Sequence, residues 1–165
     1  MPLPPSNLSE AYYWLKRFPL PLPYLGEEVF PNPWVDVFHT RIGPVAVLNR
    51  SGARKLGVTY RSMSQDHLEA LALLGTAFHR LTLTGYRPLL RGRELVVASA
   101  QGVPLLRVWA KQKPPPKDLP AISIGKARRS RHVLAVIPLK PGSHEDLLEV
   151  LDRHLPGNPL HQGTA

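Results

Sequence analysis

Apolar residues recur every three or four positions in three stretches of the chain, and this spacing predicts three main helices. The first covers SNLSEAYYWLKRF, where Ser6 or Ser9 is expected to cap the first turn. The longest runs from about Ser64 to Leu83, and the last, SHEDLLEVLDRHL, begins at a capping Ser143. The buried stripe expected on the longest helix consists of Leu68, Leu71, Leu74, Phe78 and Leu81.

Between the first two of these helices the spacing changes to two, which predicts strands. Valines alternate with other residues from Val35 to Val47, so a hairpin is expected with its bend near Arg41 to Pro44. A short helix, SGARKLG, should follow the hairpin. Ser51 is its expected N-cap, and Gly57 is its expected left-handed C-terminal stop.

The same alternation from Arg87 onward predicts a β-rich half. RELVVASA and VPLLRVWAKQK flank the turn AQG, and AISI and HVLAVIPL follow the stiff linker KPPPKDLP. This order of elements predicts an α+β protein, in which a small helical part packs on a mixed β-sheet with a long central helix and a C-terminal helix. We expect three parts, namely residues 1–60, a unit at 61–156 with the basic β-rich segment, and a flexible tail at 157–165.

A proline-rich arm connects the first helix to the hairpin. The stretch PLPLPYLGEEVFPNPW carries five prolines, which remove backbone donors and exclude a helix. Extended proline-rich segments are also docking elements, so residues 19–33 could bind a protein partner. An interaction module that docks through this arm is therefore one alternative function.

The distribution of charge is the most informative part of the composition. The chain of 165 residues has a formal charge of +9, and eleven Lys and Arg against two acids lie between Arg87 and His132. A field of this sign attracts polyanions and favours nucleic acid as partner, DNA before RNA. The competing explanation for the positive charge is a GC-rich genome, because Arg is more frequent than Lys. The many prolines also fit a heat-adapted host.

Several classes are excluded or disfavoured by what the sequence lacks. Without cysteine there is no disulfide framework, zinc ribbon or thiolate nucleophile. No window is long and apolar enough for a membrane helix and the first residues do not resemble a signal peptide, so we expect a cytoplasmic protein with no membrane contact. No phosphate loop, nucleophile elbow or metal spacing of histidines occurs, so no cofactor, metal site or catalysis is expected.

The stretch GKARRSRH concentrates the charge between two predicted strands. Arg presents a planar fork that matches phosphate oxygens, and Arg129 and Arg131 would share one side if extended. Trp109 could offer an aromatic face to a base, although a tryptophan in such a strand is more often core. A solvated turn at the edge of a sheet is the plain alternative. The phosphate contacts expected here are Lys111, Lys113, Lys126, Arg128, Arg129 and Arg131, with Arg54 and Lys55 on the short helix as further candidates.

The stretch PVAVLNRSGARKLGV resembles a block that ends the winged-helix part of the replication-relaxation family of plasmid and mobile-element proteins. The positions that match are Val47, Leu48, Gly52, Ala53, Leu56 and Gly57, with Asn49 in place of a threonine. A long helix with an early histidine, His67, then runs parallel, and the looser similarity extends to about Leu151. The resemblance implies a winged-helix-like N-terminal part followed by a restriction-endonuclease-like half.

A nuclease of that fold would need paired acids and a lysine on adjacent strands, with a divalent metal between them. The resemblance places Trp109 where the acid should stand and Lys111 at the lysine, and leaves only Glu94 upstream. It therefore implies a fold that has lost hydrolysis and kept contact with the nucleic-acid backbone. A metal-dependent nuclease that recruits Asp36, Glu69 and Glu94 remains an alternative.

The sequence thus predicts a non-catalytic accessory protein that binds nucleic acid, and DNA in preference to RNA. No recognition helix with base-reading side chains is legible, so backbone contacts are expected to dominate. A plasmid, a phage or an integrated element would be the source, with replication as the setting.

Overall fold

The structure, a computed structural model, describes residues 4–26, 31–125 and 131–155. This part of the chain holds four helices of α type and two sheets, which confirms the predicted α+β class. Two compact units divide it, the first covering Met1–Thr76 with Lys140–Gly142 and the second Ala77–Leu139 with Ser143–Ala165. The boundary expected at residue 60 stays a prediction, and the tail at 157–165 lies outside the described residues.

The first unit is built on a three-stranded antiparallel sheet with strand order β1-β3-β2. Its strands pair Leu22 with Ala46 on one side of β3, and Thr40 with Gly43 on the other. The bend of the hairpin is therefore the two residues Arg41 and Ile42, as the valine spacing predicts. The elements are α1 (Leu8–Arg17), β1 (Leu22–Pro23), β2 (Val35–Thr40), β3 (Gly43–Leu48) and α2 (Arg50–Leu56).

The N-cap of α1 corrects an expectation. The side chain of Asn7, not that of Ser6 or Ser9, accepts the hydrogen bond from the backbone N–H of Glu10, at 2.8 Å. Asn7 has the extended backbone that a cap requires, while Ser6 donates its hydroxyl to the carboxylate of Glu10 at 3.2 Å. The helix packs one face on the sheet, and the core there comprises Leu8, Ala11, Trp14, Leu15, Leu22, Tyr24, Val35 and Ala46.

The long helix α3 (Gln65–Leu83) is buried more widely than a single stripe. Leu68, Leu74 and Leu81 are buried as predicted, whereas Leu71 and Phe78 are only partly buried. The additional buried positions are Glu69, Ala70, Ala72, Leu73, Gly75, Thr76, Ala77 and His79. Most of these side chains are small, and the carbonyl oxygen of Pro21 lies 3.2 Å from where a Cβ on Gly75 would be.

The second unit is a five-stranded mixed sheet with order β4-β5-β6-β7-β8. β4, β5 and β6 are antiparallel neighbours, while β6, β7 and β8 run parallel. The four predicted strands are confirmed, and β4 is an additional one. The elements are β4 (Arg87–Arg91), β5 (Glu94–Ala98), β6 (Pro104–Trp109), β7 (Ala121–Ile124), β8 (Val133–Ile137) and α4 (Ser143–His154).

Ser143 is the first residue of α4, and its hydroxyl donates to the carbonyl oxygen of Pro138. The bond ties the start of α4 to the end of β8. Among the described residues, no helix is long and apolar enough to cross a membrane.

Candidate nucleic-acid interface

Helix α2 is fixed at both ends by its own sequence. The carbonyl oxygen of the Asn49 side chain accepts from the backbone N–H of Gly52 at 2.8 Å, so Asn49 rather than the predicted Ser51 is the N-cap. Gly57 is left-handed with φ 70°, which confirms the predicted stop. Gly52 lies so close to the carbonyl oxygen of Trp34 that any Cβ would collide with it. The helix is therefore held tightly against the turn that precedes β2.

Two arginines one turn apart on α2 border an open cleft of about 480 Å³. Arg50 and Arg54 are both exposed, and residues of the connector between α2 and α3 form the opposite wall. Every second residue of this connector takes part. The cleft is lined by Arg50, Ala53, Arg54, Val58, Tyr60 and Ser62.

Aromatic rings position the cations around α2. The guanidinium carbon of Arg50 lies 5.0 Å from the ring centre of Tyr60, and the ammonium of Lys55 lies 4.3 Å from that of Trp34. Such contacts orient a cation without neutralising it. No carboxylate lines the cleft, and among the described residues neither Arg50 nor Arg54 forms an ion pair. Both arginines therefore keep N–H donors available for an anion.

The sequence around the cleft carries no acid. Between Asp36 and Asp66 there is no Asp or Glu, although five Lys and Arg lie there. Four of them are on α2 or in the connector, namely Arg50, Arg54, Lys55 and Arg61. Arg54 and Lys55 are among the phosphate contacts predicted from the sequence, whereas Arg50 and Arg61 are not. The excess of Lys and Arg over acids is larger after Arg87, and this favoured the later segment. The acid-free interval was the signal that could have found them.

The fifth cation of the interval, Arg41, is committed to an internal pair. Its side chain donates to Glu69 at 2.6 Å and to Asp66 at 2.6 Å, and its backbone N–H donates to Glu69 at 2.7 Å. Burial works to raise the pKa of Glu69, but the hydrogen bonds and charge of Arg41 outweigh it and lower that pKa below its ordinary value. The acids at the start of α3 are thus occupied by Arg41.

A second cavity, of about 410 Å³, lies on the side of the connector toward β2. Its floor is apolar, with Val47, Leu48 and Leu68, and two exposed aromatic residues, Phe38 and Tyr60, also line it. Tyr60 and Ser62 line both this cavity and the arginine cleft, so the two spaces adjoin. Its polar lining consists of Asp36, His39, Thr40, Asn49, Arg61, Ser62 and Gln65.

The predicted phosphate contacts that the structure describes in the second unit lie in two separate places. Lys111 follows the end of β6 and its ammonium lies 4.8 Å from the ring centre of Trp109; Lys113 follows and is exposed. Because Trp109 pairs with Ser123 in the parallel ladder, both lysines lie near the carboxyl ends of β6 and β7. Arg131 precedes β8, whose first residue pairs with Ala121 at the amino end of β7. The two groups therefore lie at opposite ends of the strands.

Three of the predicted contacts, Lys126, Arg128 and Arg129, lie outside the described residues. The aromatic platform considered at Trp109 is not available in this structure. Its ring is 2% exposed, Lys111 covers it, and its indole N–H donates to the carbonyl oxygen of Lys113 at 2.7 Å. Trp109 is therefore a core residue that fixes the segment after β6.

The positions that a nuclease would use hold an internal ion cluster. Glu94 and Trp109 face each other across β5 and β6, and Arg107, two residues earlier on β6, forms ion pairs with Glu94 at 3.3 Å and with Asp118 at 2.6 Å. The hydrogen bond and charge of Arg107 lower the pKa of Asp118. Within the ranges that the structure describes, no group of three His, Asp or Glu could hold a metal ion.

The proline-rich arm is partly built into the first unit. Its residues Pro21, Leu22, Pro23 and Tyr24 are buried, and β1 within it pairs with β3. Residues 27–30 of the arm lie outside the described residues. The part from Pro19 to Gly26 therefore serves the fold of the first unit.

No family model, no curated protein and no solved structure matches this chain. The resemblance to the replication-relaxation family stays a prediction from the sequence.

Proposed function

We propose that this protein binds nucleic acid, DNA in preference to RNA, through contacts to the phosphate backbone and without catalysis. The observation that carries the proposal is the cleft between α2 and the following connector, where Arg50 and Arg54 are exposed and form no ion pair with any residue that the structure describes. Guanidinium groups bind phosphate oxygens through two parallel hydrogen bonds, and Arg is the side chain best suited to this.

Three further features support a phosphate site. The cations of α2 and the connector have no acid beside them in sequence, and Arg41 occupies Asp66 and Glu69 at the start of α3. Tyr60 and Ser62 add hydroxyl groups that can donate to phosphate oxygens. The capping of α2 by Asn49 fixes the backbone that carries the two arginines.

The late basic segment extends this proposal. Lys111, Lys113 and Arg131, together with Lys126, Arg128 and Arg129, are candidates for further phosphate contacts. Because Arg131 and the two lysines lie at opposite ends of the strands, we expect them to contact different phosphates. The proposed setting is the cytoplasm, in an accessory protein of a plasmid, phage or mobile element.

The test is the salt dependence of binding to a fluorescent duplex between about 50 and 200 mM salt. Replacing Arg50 and Arg54 together by Ala should reduce the slope of log K against log salt by about 1.8, since each phosphate contact contributes about 0.9. The matched control is Arg80→Ala with Arg153→Ala. It removes the same charge, but these arginines already pair with Asp152 and Glu149.

The proposal requires that the control double variant keep the slope of the wild type. Equal losses in the two double variants would mean that only total charge matters, and would overturn the cleft as the site. An Arg50→Lys, Arg54→Lys variant separates charge from geometry, because it should keep most of the slope but bind more weakly.

A further inference from the structure

The cavity beside the arginine cleft is suited to a flat, neutral group rather than to a second phosphate. Its floor of Val47, Leu48 and Leu68 is apolar, and Phe38 and Tyr60 expose 48% and 42% of their surface. Asp36 and Arg61 both line the cavity, so its charged lining has no net positive charge that would favour an anion there. The volume of about 410 Å³ lies within the range of small-molecule sites.

The strand pattern explains why three of these groups, Asp36, Phe38 and Val47, share one side of the sheet. Val35 and Val37 of β2 pack toward α1 in the core, so Asp36, Phe38 and Thr40 point to the opposite face of the sheet. Val47 pairs with Asp36 across the hairpin and lies on that same face. Phe38 therefore presents an exposed aromatic ring beside an apolar floor, where a planar group could stack on it.

We propose that this cavity receives an unpaired nucleobase, whose neighbouring phosphate occupies the arginine cleft, so that the protein prefers single-stranded nucleic acid to a duplex. The inference rests on the proposed function, since it names the substrate class of the same site. Tyr60 and Ser62 line both spaces, which places a base site directly beside a phosphate site. A stacked base next to a bound phosphate is the general arrangement of single-strand binding surfaces.

Asp36 gives the base site a chemical preference. Its Oδ1 accepts a hydrogen bond from the Asn49 side chain at 3.3 Å, while Oδ2 accepts none from the residues that the structure describes. A carboxylate oxygen accepts hydrogen bonds from the exocyclic amino groups of cytosine and related bases, which thymine and uracil lack. The site should therefore favour cytosine over thymine or uracil in strands of equal length and charge.

The experiment measures binding of fluorescent twelve-residue strands of deoxycytidine and deoxythymidine, of the matching ribonucleotide strands, and of a duplex. We expect the cytosine strands to bind more tightly than the thymine or uracil strands, and every single strand more tightly than the duplex. The ribonucleotide arms test the DNA preference of the proposed function: tighter binding of the ribonucleotide strands would overturn that preference and leave the base site standing.

Phe38→Ala should weaken single-strand binding by about 5- to 150-fold, the range for loss of one stacked base, with little change for the duplex. Phe38→Trp, which keeps an aromatic ring, should retain single-strand binding close to that of the wild type. Asp36→Ala should abolish the difference between cytosine and thymine strands, and thymine strands should bind at least as tightly as they do to the wild type, because a negative charge is removed. Phe38 and Asp36 are exposed, so these variants should fold, as a circular dichroism spectrum would check.

The two proposals fail in different ways. Equal binding of strands and duplex, with Phe38→Ala unchanged and the salt slope still dependent on Arg50 and Arg54, would overturn the base site and leave the phosphate site standing. Single-strand binding that depends on Phe38 but not on the two arginines would overturn the arginine cleft. Absence of binding to every probe would overturn both.

Discussion

The guanidinium of Arg107 lies 3.3 Å from the carboxylate of Glu94, so the acid nearest to the nuclease-like positions is already neutralised from within the protein. Both side chains are largely buried, at 8% and 17% exposure. Asp118 completes the cluster on the other side of Arg107. Glu94 and Arg107 lie on the face of β5 and β6 that carries Trp109, and Asp118 ties the connector before β7 to β6.

Removing Arg107 should therefore be costly. Arg107→Leu leaves Glu94 partly buried without its cation, and we expect a loss of about 3 kcal/mol in the free energy of unfolding. The double variant with Glu94→Leu should recover most of the loss, because a buried ion pair can often be replaced by apolar side chains of similar volume. Urea unfolding of the three proteins measures both values, and a double variant no better than the single one would contradict this account.

The Arg41 and Glu69 pair predicts an asymmetry. Arg41→Ala strands a carboxylate whose side chain is 0% exposed, and should cost about 2 kcal/mol, less than a fully buried pair because Arg41 is itself half exposed. Glu69→Gln leaves only an exposed arginine and should cost less. Thermal unfolding at neutral pH compares the two variants. A larger loss of stability in Glu69→Gln than in Arg41→Ala would show that the buried carboxylate without its cation is not the main cost.

His144 predicts a pH dependence. Its side chain is 6% exposed, neither ring nitrogen has a hydrogen-bond partner among the described residues, and burial lowers its pKa. The unfolded chain then binds a proton that the folded protein resists. Stability should fall as the pH drops below about 6.5, the ordinary pKa of histidine, until the lowered pKa of the folded state is reached.

His144→Leu removes this proton while keeping the site filled. The difference in melting temperature between the wild type and the variant should shift in favour of the variant from pH 7.5 to pH 5.5. His154, which is exposed near the end of the same helix, gives the control as His154→Leu. If both variants change with pH in the same way, burial of His144 is not the cause.

The caps of α2 predict a contrast between neighbours. Asn49→Ala should cost about 1 kcal/mol, because it removes the acceptor for the N–H of Gly52, whereas Ser51→Ala should change little. Asn49→Ala should also weaken nucleic-acid binding, since α2 carries Arg50 and Arg54. Melting temperature and duplex affinity are both measured. A loss in Ser51→Ala as large as that in Asn49→Ala would reject the capping assignment.

Much of the fold follows from local patterns, and the misses have physical reasons. Periodicity predicts helix α3, the β2 and β3 hairpin and the strands β5 to β8. The place of Gly57 directly after α2 predicts its left-handed conformation. The sequence predicts nearby serines as N-caps in place of Asn7 and Asn49, because Ser and Asn are nearly equal in capping preference. The backbone conformation, which is extended at Asn7 and Asn49, determines which of them caps the helix. β4 was missed because its five residues carry a proline and two arginines.

The candidate site was harder to predict than the fold. Arg41 and Glu69 are 28 residues apart, and no local pattern shows that one arginine of the acid-free interval is internally paired while Arg50 and Arg54 are not. Charge counting favoured the late segment, where Arg107 also proves to be internal. Net charge of a segment does not distinguish cations that face solvent from those that hold the fold together.

The margin of the first sheet has a consequence for self-association. β1 is an outer strand of two residues, and its second residue, Pro23, has no N–H to offer a further strand. A second molecule therefore finds almost no template there for extending the sheet.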